Sequence, residues 1–243
     1  MSMIYFTGDI HGGIDELLWR LERKNIPQEK EQMVVLLGDV GVNYYLGKRD
    51  TRAKQKLQES NRTYLCVHGN HERRPESIGT YIEQPWNGGS VYVEPGFENI
   101  IFLQDGEVYD LYGAKTLVLG GAYSVDKYYR LHNGYNWFED EQISLYKRAE
   151  ILHKITEIKS VDLVLSHTCP IQWQPRDLFL PWLDQSTVDN SMERWLAEVE
   201  ANLDYKYWLF GHYHDNRRIN DKARMLYEDV CAIVTEDLKD WKW

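Results

Sequence analysis

Five short apolar runs in this chain each stop on a polar cluster rich in Asp and His, and this recurrence restricts the fold more than any other property of the sequence. Ile4-Tyr5-Phe6-Thr7 leads into Gly8-Asp9-Ile10-His11-Gly12-Gly13, and Met33-Val34-Val35-Leu36-Leu37 into Gly38-Asp39. Tyr64-Leu65-Cys66-Val67-His68 leads into Gly69-Asn70-His71-Glu72, Val161-Asp162-Leu163-Val164-Leu165 into Ser166-His167, and Tyr207-Trp208-Leu209-Phe210 into Gly211-His212-Tyr213-His214. Such runs, bounded by turns and alternating with helical segments, read as strands of a sheet covered on both faces. With residues 3–7 as a strand, the two-residue side-chain alternation sends Asp9 and His11 the same way as the chain leaves the sheet. His212 and His214 share this relation. In layered α/β folds, ligands are held at the strand ends.

Between the runs, amphipathic or polar helices are expected over 14–21, 50–60, 141–159 and 191–203. Residues 73–98, rich in Pro, Gly and Trp, read as irregular. Segments 99–104 and 107–112 read as strands joined by an Asp105-Gly106 hairpin turn. Further strands are expected at 115–119 and within 223–234. At 243 residues the chain suits a single domain over 1–243. The aromatic, irregular stretches 123–138 and 172–195 are expected to form a rim or cap beside the ligand-bearing strand ends.

Hydrophobic residues at 43% and charged residues at 27% are ordinary for a globular protein. The net charge of -10 argues against an extended nucleic-acid interface, which needs clustered Lys and Arg to displace counterions. Three cysteines without C-x-x-C spacing indicate neither a disulfide framework nor a thiolate zinc site, and suit a reducing cytoplasm. No apolar run approaches the roughly 18 residues of a membrane span, so no membrane partner is expected.

The clusters offer imidazole, carboxylate and amide oxygen, a donor set suited to manganese, iron or zinc. They offer more ligands than one ion needs, which points to two divalent metal ions. The order Asp9-Ile10-His11, Gly38-Asp39, Gly69-Asn70-His71-Glu72, Ser166-His167 and Gly211-His212-Tyr213-His214 resembles that of the calcineurin-like metallophosphoesterase superfamily. The resemblance implies a four-layer αββα sandwich, two mixed sheets flanked by helices. It also implies that Asp9, His11 and His214 hold one metal, that Asn70, His167 and His212 hold the other, and that Asp39 bridges them. Two cations about 3.5–4 Å apart generate a bridging hydroxide at neutral pH and clamp the oxygens of an in-line displacement at phosphorus. By the same resemblance His71 is not a ligand but assists the leaving group, and the expected activity is hydrolysis of a phosphomonoester in the presence of manganese.

The opening and the Asn-His-Glu block look like those of the serine/threonine protein phosphatases. That branch follows its Gly-Asp with an Asp-Arg-Gly block whose Arg contacts phosphate, whereas Asp39 here precedes Val40-Gly41-Val42-Asn43. Arg73 or Arg130 is expected to supply the missing contact, because guanidinium binds phosphate oxygens in pairs, and Asn70 is counted with them as a substrate contact. The substrate expected is a phosphorylated small molecule, a nucleotide or a phosphoprotein. Two other readings compete: a phosphodiesterase using the same metals, and an inactive interaction scaffold. The scaffold reading is opposed by the presence of all seven ligand positions and His71.

Overall fold

The structure, a computed structural model, describes residues 2–239. Strands β1 (Met3–Thr7) and β2 (Met33–Leu36) flank helix α1 (Ile14–Arg23), and β3 (Thr63–Cys66) follows helix α2 (Lys48–Glu59). These three strands run parallel, as successive βα units require. Helix α1 forms because Ile14, Leu17 and Leu21 recur on one buried face, with Asp15 and Glu16 in its first turn and Arg20 and Arg23 in its last, where they complement the helix dipole.

Residues 73–98 depart from the irregular structure expected. They contain β4 (Ile82–Trp86) and β5 (Gly89–Val93), an antiparallel pair closed by Asn87-Gly88 with positive φ at both residues. That is the backbone a two-residue hairpin needs, and Pro85 is tolerated because β4 is an edge strand.

A second departure lies at Asp105-Gly106. The flanking strands β6 (Ile100–Leu103) and β7 (Val108–Leu111) do not pair as a hairpin. Strand β6 joins β3 and β5, while β7 pairs with β8 (Ala114–Leu119) in the other sheet. The Asp105 carboxylate accepts from the Gly120 amide at 2.5 Å and from Arg74 Nη1 at 2.5 Å, so the turn is anchored to its surroundings while the chain changes sheets.

The second sheet continues through α3 (Lys127–Asn133), α4 (Leu145–Ile158), β9 (Ser160–Ser166), α5 (Ser191–Asn202), β10 (Asp204–Phe210), β11 (Arg217–Arg218) and β12 (Ala223–Met225). Helix α3 falls where the sequence shows no clear period. Strand β13 (Cys231–Val234) returns to the first sheet and pairs antiparallel with β1. The orders are β13-β1-β2-β3-β6-β5-β4 and β11-β12-β10-β9-β8-β7, both mixed.

Strand alternation builds the layers. Val35, Leu37 and Leu65 face Val118, Leu165 and Leu209 in a core between the sheets. Val34, Leu36 and Tyr64 pack on Leu17, Leu21 and Leu57 of α1 and α2, and Val164, Trp208 and Phe210 pack with Ile151, Ile155 and Leu196 of α4 and α5. The result is the αββα sandwich. Among the described residues no helix is long and apolar enough to cross a membrane.

Candidate metal centre

The five polar clusters converge at one end of the sandwich. Asp9 and His11 follow β1, Asp39 follows β2, Asn70 and His71 follow β3, His167 follows β9, and His212 and His214 follow β10. The first sheet therefore contributes both carboxylates and the amide, and the second contributes three imidazoles. Three overlapping sets, Asp9-His11-His214, His11-Asp39-His71 and Asp9-Asp39-His167, each bring their donor atoms within 4.8 Å of one another.

The local backbone is unusual here. His11, Asp39, His212 and His214 all have positive φ, a region non-glycine residues enter rarely and at a cost. Tight approach explains two glycines. A Cβ on Gly69 would lie 2.0 Å from Asp39 Oδ1, and one on Gly38, itself at φ +94°, would lie 2.1 Å from His167 Nδ1. The Glu72 carboxylate, fully buried, accepts from the Gly69 amide at 3.2 Å, the Val40 amide at 3.4 Å and the Gly41 amide at 3.3 Å, tying the two loops together. Burial, reinforced by the charge of Asp39, pushes Glu72 up to about 8.

The arrangement of lone pairs fits cations. His167 Nδ1 donates to the Leu37 carbonyl at 2.7 Å, which leaves Nε2 as a lone pair. Asn70 Nδ2 donates to Ser124 Oγ at 2.9 Å, which turns Oδ1 toward that same Nε2, 2.9 Å away. Two acceptors then face each other, with Asp39 Oδ1 3.5 Å from the imidazole. His11 Nε2 and His214 Nε2 lie 3.0 Å apart, within reach of one N–H···N bond between neutral rings, with Asp39 Oδ2 3.8 Å from the first and Asp9 Oδ1 4.0 Å from the second. His212 packs edge-on against the His167 ring, 5.0 Å between centroids, and its amide donates to Asp9 Oδ2 at 2.9 Å. Two buried carboxylates among imidazole nitrogens at these separations favour positive charge between them.

In the metal-free protein protons take that role. Burial opposes a charge on His167, but Asp39 and Asp9 overcome it and push the imidazole up to about 9. Asp9 is pushed up to about 7, by burial first and then by the like charge of Asp39, against the pull of His167. Asp39, although burial opposes its charge, is held well below the ordinary carboxylate range by His167, His71 and His11.

His71 sits at the edge of this cluster, its amide donating to Asp39 Oδ1 at 2.8 Å. Burial, with help from Arg130 and His11, lowers its imidazole to about 4 against the opposing pull of Asp39. Arg130, on α3, is buried against the His71 ring, to which its Nη2 donates, and its Nε is held by Asp126 at 2.8 Å. The structure thus brings Arg130 and Asn70 to the cluster. Arg73 is exposed, with its guanidinium 5.8 Å from the Phe138 ring centre.

A cavity of about 370 Å³ opens beside the cluster, bordered by Asp39, Asn70, His71, His212 and His214 on one side. Its other walls come from Tyr123, Val125 and Asp126 and from the segment between Gln174 and Glu193. Glu193 was not distinguishable in the sequence, since a glutamate between the apolar residues Met192 and Trp195 of a helix reads as solvent-facing. Tyr128, Tyr129 and Tyr135 are exposed, and the cavity is not lined by them.

Two solved structures resemble the whole sandwich. One, the crystal structure of TT1561 of Thermus thermophilus, superposes with a TM-score of 0.50 at 14% identity, over 93% of this chain and 88% of that one. Another gives a TM-score of 0.51 at 12% identity, over 93% and 89% of the two chains. At such identities the likeness speaks to the fold alone. No curated protein matches the sequence. Residues 2–216, which include all five clusters from Asp9 to His214, match the family described as calcineurin-like phosphoesterase, and the chain belongs to that family of metal-dependent hydrolases.

Proposed function

We propose that the protein is a binuclear phosphomonoesterase, one domain over residues 1–243, in which Asp9, His11 and His214 hold one cation, Asn70, His167 and His212 hold the other, and Asp39 touches both. The observation that carries this reading is the convergence of carboxylate and imidazole donors in three overlapping sets, Asp9-His11-His214, His11-Asp39-His71 and Asp9-Asp39-His167, each with its atoms within 4.8 Å of one another. Manganese suits the mixture of imidazole, carboxylate and amide oxygen, with iron and zinc as the competing ions. When bound, the cations supply an activated water and positive charge on the phosphoryl oxygens.

The chain's own residues do the rest. Asp39 stays ionised, so its carboxylate is available to both ions across the neutral range. Glu72 holds the Asp39 and Asn70 loops at fixed separation through its three amide contacts. His71, at the open edge of the cluster, is positioned to share a proton with the departing oxygen. Arg130, packed on His71 and paired with Asp126, places a guanidinium beside the cluster, which favours the more highly charged monoester dianion over a diester. Segments 123–138 and 172–195 supply the substrate rim.

Side-by-side turnover of p-nitrophenyl phosphate and bis-p-nitrophenyl phosphate by manganese-loaded protein tests the proposal, with metal-free protein as control. Metal-dependent preference for the monoester is expected. Preference for the diester would replace it with the phosphodiesterase reading, and activity on neither would favour the scaffold.

A further inference from the structure

The two histidines that follow β10 are separated by a residue to which the metal assignment gives no task. His212 and His214 lie in the left-handed region, at φ 70° and 53°, with Tyr213 between them. Such backbone persists only where its surroundings over-determine it. Part of the restraint comes from the main chain: the Gly211 amide donates to the His167 carbonyl at 2.9 Å, and the Tyr213 amide to the Gly211 carbonyl at 2.9 Å. Side chains supply the rest.

The Tyr213 hydroxyl lies 3.0 Å from Thr168 Oγ1, and Thr168 directly follows His167. Thr168 Oγ1 donates to Glu193 Oε1 at 2.8 Å, which commits its one proton and leaves its lone pairs to accept from Tyr213. Cys169 Sγ in turn donates to the phenolic oxygen at 3.8 Å. The bonds form a one-way chain of donors, from Cys169 through Tyr213 and Thr168 to Glu193 on α5. Thr168, Cys169 and Glu193 are all buried, so water competes poorly for these contacts. The chain joins the end of β9 to the turn after β10.

The tyrosine ring is fixed as well as its tip. Phe179 of the rim stacks on it at 6.5 Å between centroids, while Phe210 and the His212 imidazole meet it edge-on at 6.4 and 4.8 Å. The two neighbouring histidines differ in what else holds them. The His214 ring stacks on Tyr227, 4.7 Å between centroids and 16° between planes, a restraint independent of Tyr213. His212 has its ring edges against His167 and Tyr213, so its place depends on the β9 and β10 ends staying in register.

We propose that Tyr213 is a positioning residue of the metal centre, whose hydroxyl, anchored on Thr168, holds the turn after β10 against the end of β9 so that His167 and His212 serve the same ion. This rests on the binuclear reading given above. Tyr213 acts through the two histidines, not on the reacting atoms. The ion assigned to Asp9, His11 and His214 depends less on the hydroxyl, because Tyr227 holds His214 from the other side.

The test is a calorimetric titration of the metal-free, full-length protein with manganese. Wild type should bind two ions. Tyr213→Phe, which removes the hydroxyl and keeps the ring, should bind one ion as wild type does and the other roughly 10- to 100-fold more weakly, the range for loss of a group that orients a metal ligand. Thr168→Ser, which keeps the anchoring hydroxyl, should bind both ions as wild type does. Should Tyr213→Phe fail to fold, Thr168→Ala removes the same anchor from the other side and should weaken the same ion. Hydrogen exchange in the metal-free Tyr213→Phe protein should quicken at the Gly211 and His212 amides. Its turnover of p-nitrophenyl phosphate should fall at limiting manganese and recover in excess, with KM unchanged. Wild-type affinity for both ions in Tyr213→Phe, or equal weakening of both, overturns this inference and leaves the binuclear reading intact. Fewer than two ions bound by wild type overturns that reading and this one with it.

Discussion

The floor and the roof of the cavity are built on opposite principles. The floor consists of strand ends at which Asp9, Asp39, Asn70 and His167 are buried and His11, Asp39, His212 and His214 are held by backbone in the left-handed region. The roof, from Ile171 to Asn190, consists of three short 3₁₀ turns whose hydrogen bonds are local, such as Leu178 N to Pro175 O at 2.8 Å and Thr187 N to Asp184 O at 3.0 Å. It is pinned at its margins by Trp173 against Trp208, by Gln174 to Asn190 at 2.8 Å and by Arg217 to Asp177 at 2.8 Å. Between these pins Leu178, Leu180 and Trp182 are exposed. A floor over-determined by many contacts fixes the chemistry, while a roof held at a few points can change its lining at little structural cost.

That contrast can be broken most severely from the floor. Asp39→Asn is expected to deplete both ions and abolish measurable turnover, and metal analysis showing both ions retained would remove its assignment as the shared ligand. His71→Ala should keep its metals and lose roughly 10²–10⁴ in rate; metal loss instead would mean that His71 is itself a ligand.

The next effect is one of stability. Without metal, His167 carries a proton up to about 9 in the folded state, against an ordinary 6.5 in the unfolded chain. The folded state then binds more protons, so this stabilisation is complete below pH 6.5 and is lost as the pH rises through 9. Glu72, raised to about 8, acts in the same direction. Below that window Asp9 and His71 oppose each other, because Asp9 is raised and His71 lowered. The melting temperature of metal-free protein should therefore fall between pH 6.5 and 9, and manganese should flatten the profile. A flat profile without metal would contradict the proton-for-metal exchange. The smallest effect belongs to the roof: Trp182→Ala, at a side chain 79% exposed, should change stability by less than about 0.5 kcal/mol and leave metal content unaltered.

The floor was also the part most legible in the sequence, for a physical reason. Each cluster sits immediately after an apolar run, so local alternation and turn glycines report both the strand and the direction in which its donors leave it. What was not legible depends on pairing. Asp105-Gly106 has hairpin chemistry, yet its strands belong to different sheets, because turn residues specify a bend and not the partner that follows. The hairpin at Asn87-Gly88 carried a readable signal that the neighbouring Pro85 and Trp86 obscured. Arg130 could be named as a phosphate contact, but its place against His71 required α3, a helix without an apolar period. Glu193 gave no signal, since only the tertiary fold makes its half of α5 a cavity wall.

The division of donors between the two sheets has a consequence in time. A chain emerging from its N-terminus presents both carboxylates and the amide within its first 70 residues, but the final imidazole only at residue 214. Until then the early half holds acidic groups without most of the imidazoles that the proposed assignment gives them as co-ligands, and it cannot form either proposed set. On that assignment, occupancy by metal would report that the strand ends of both halves have been synthesised and docked. The proposed centre would thus record the docking of the two sheets, ahead of the closing strand β13, which pairs with β1 only after residue 230.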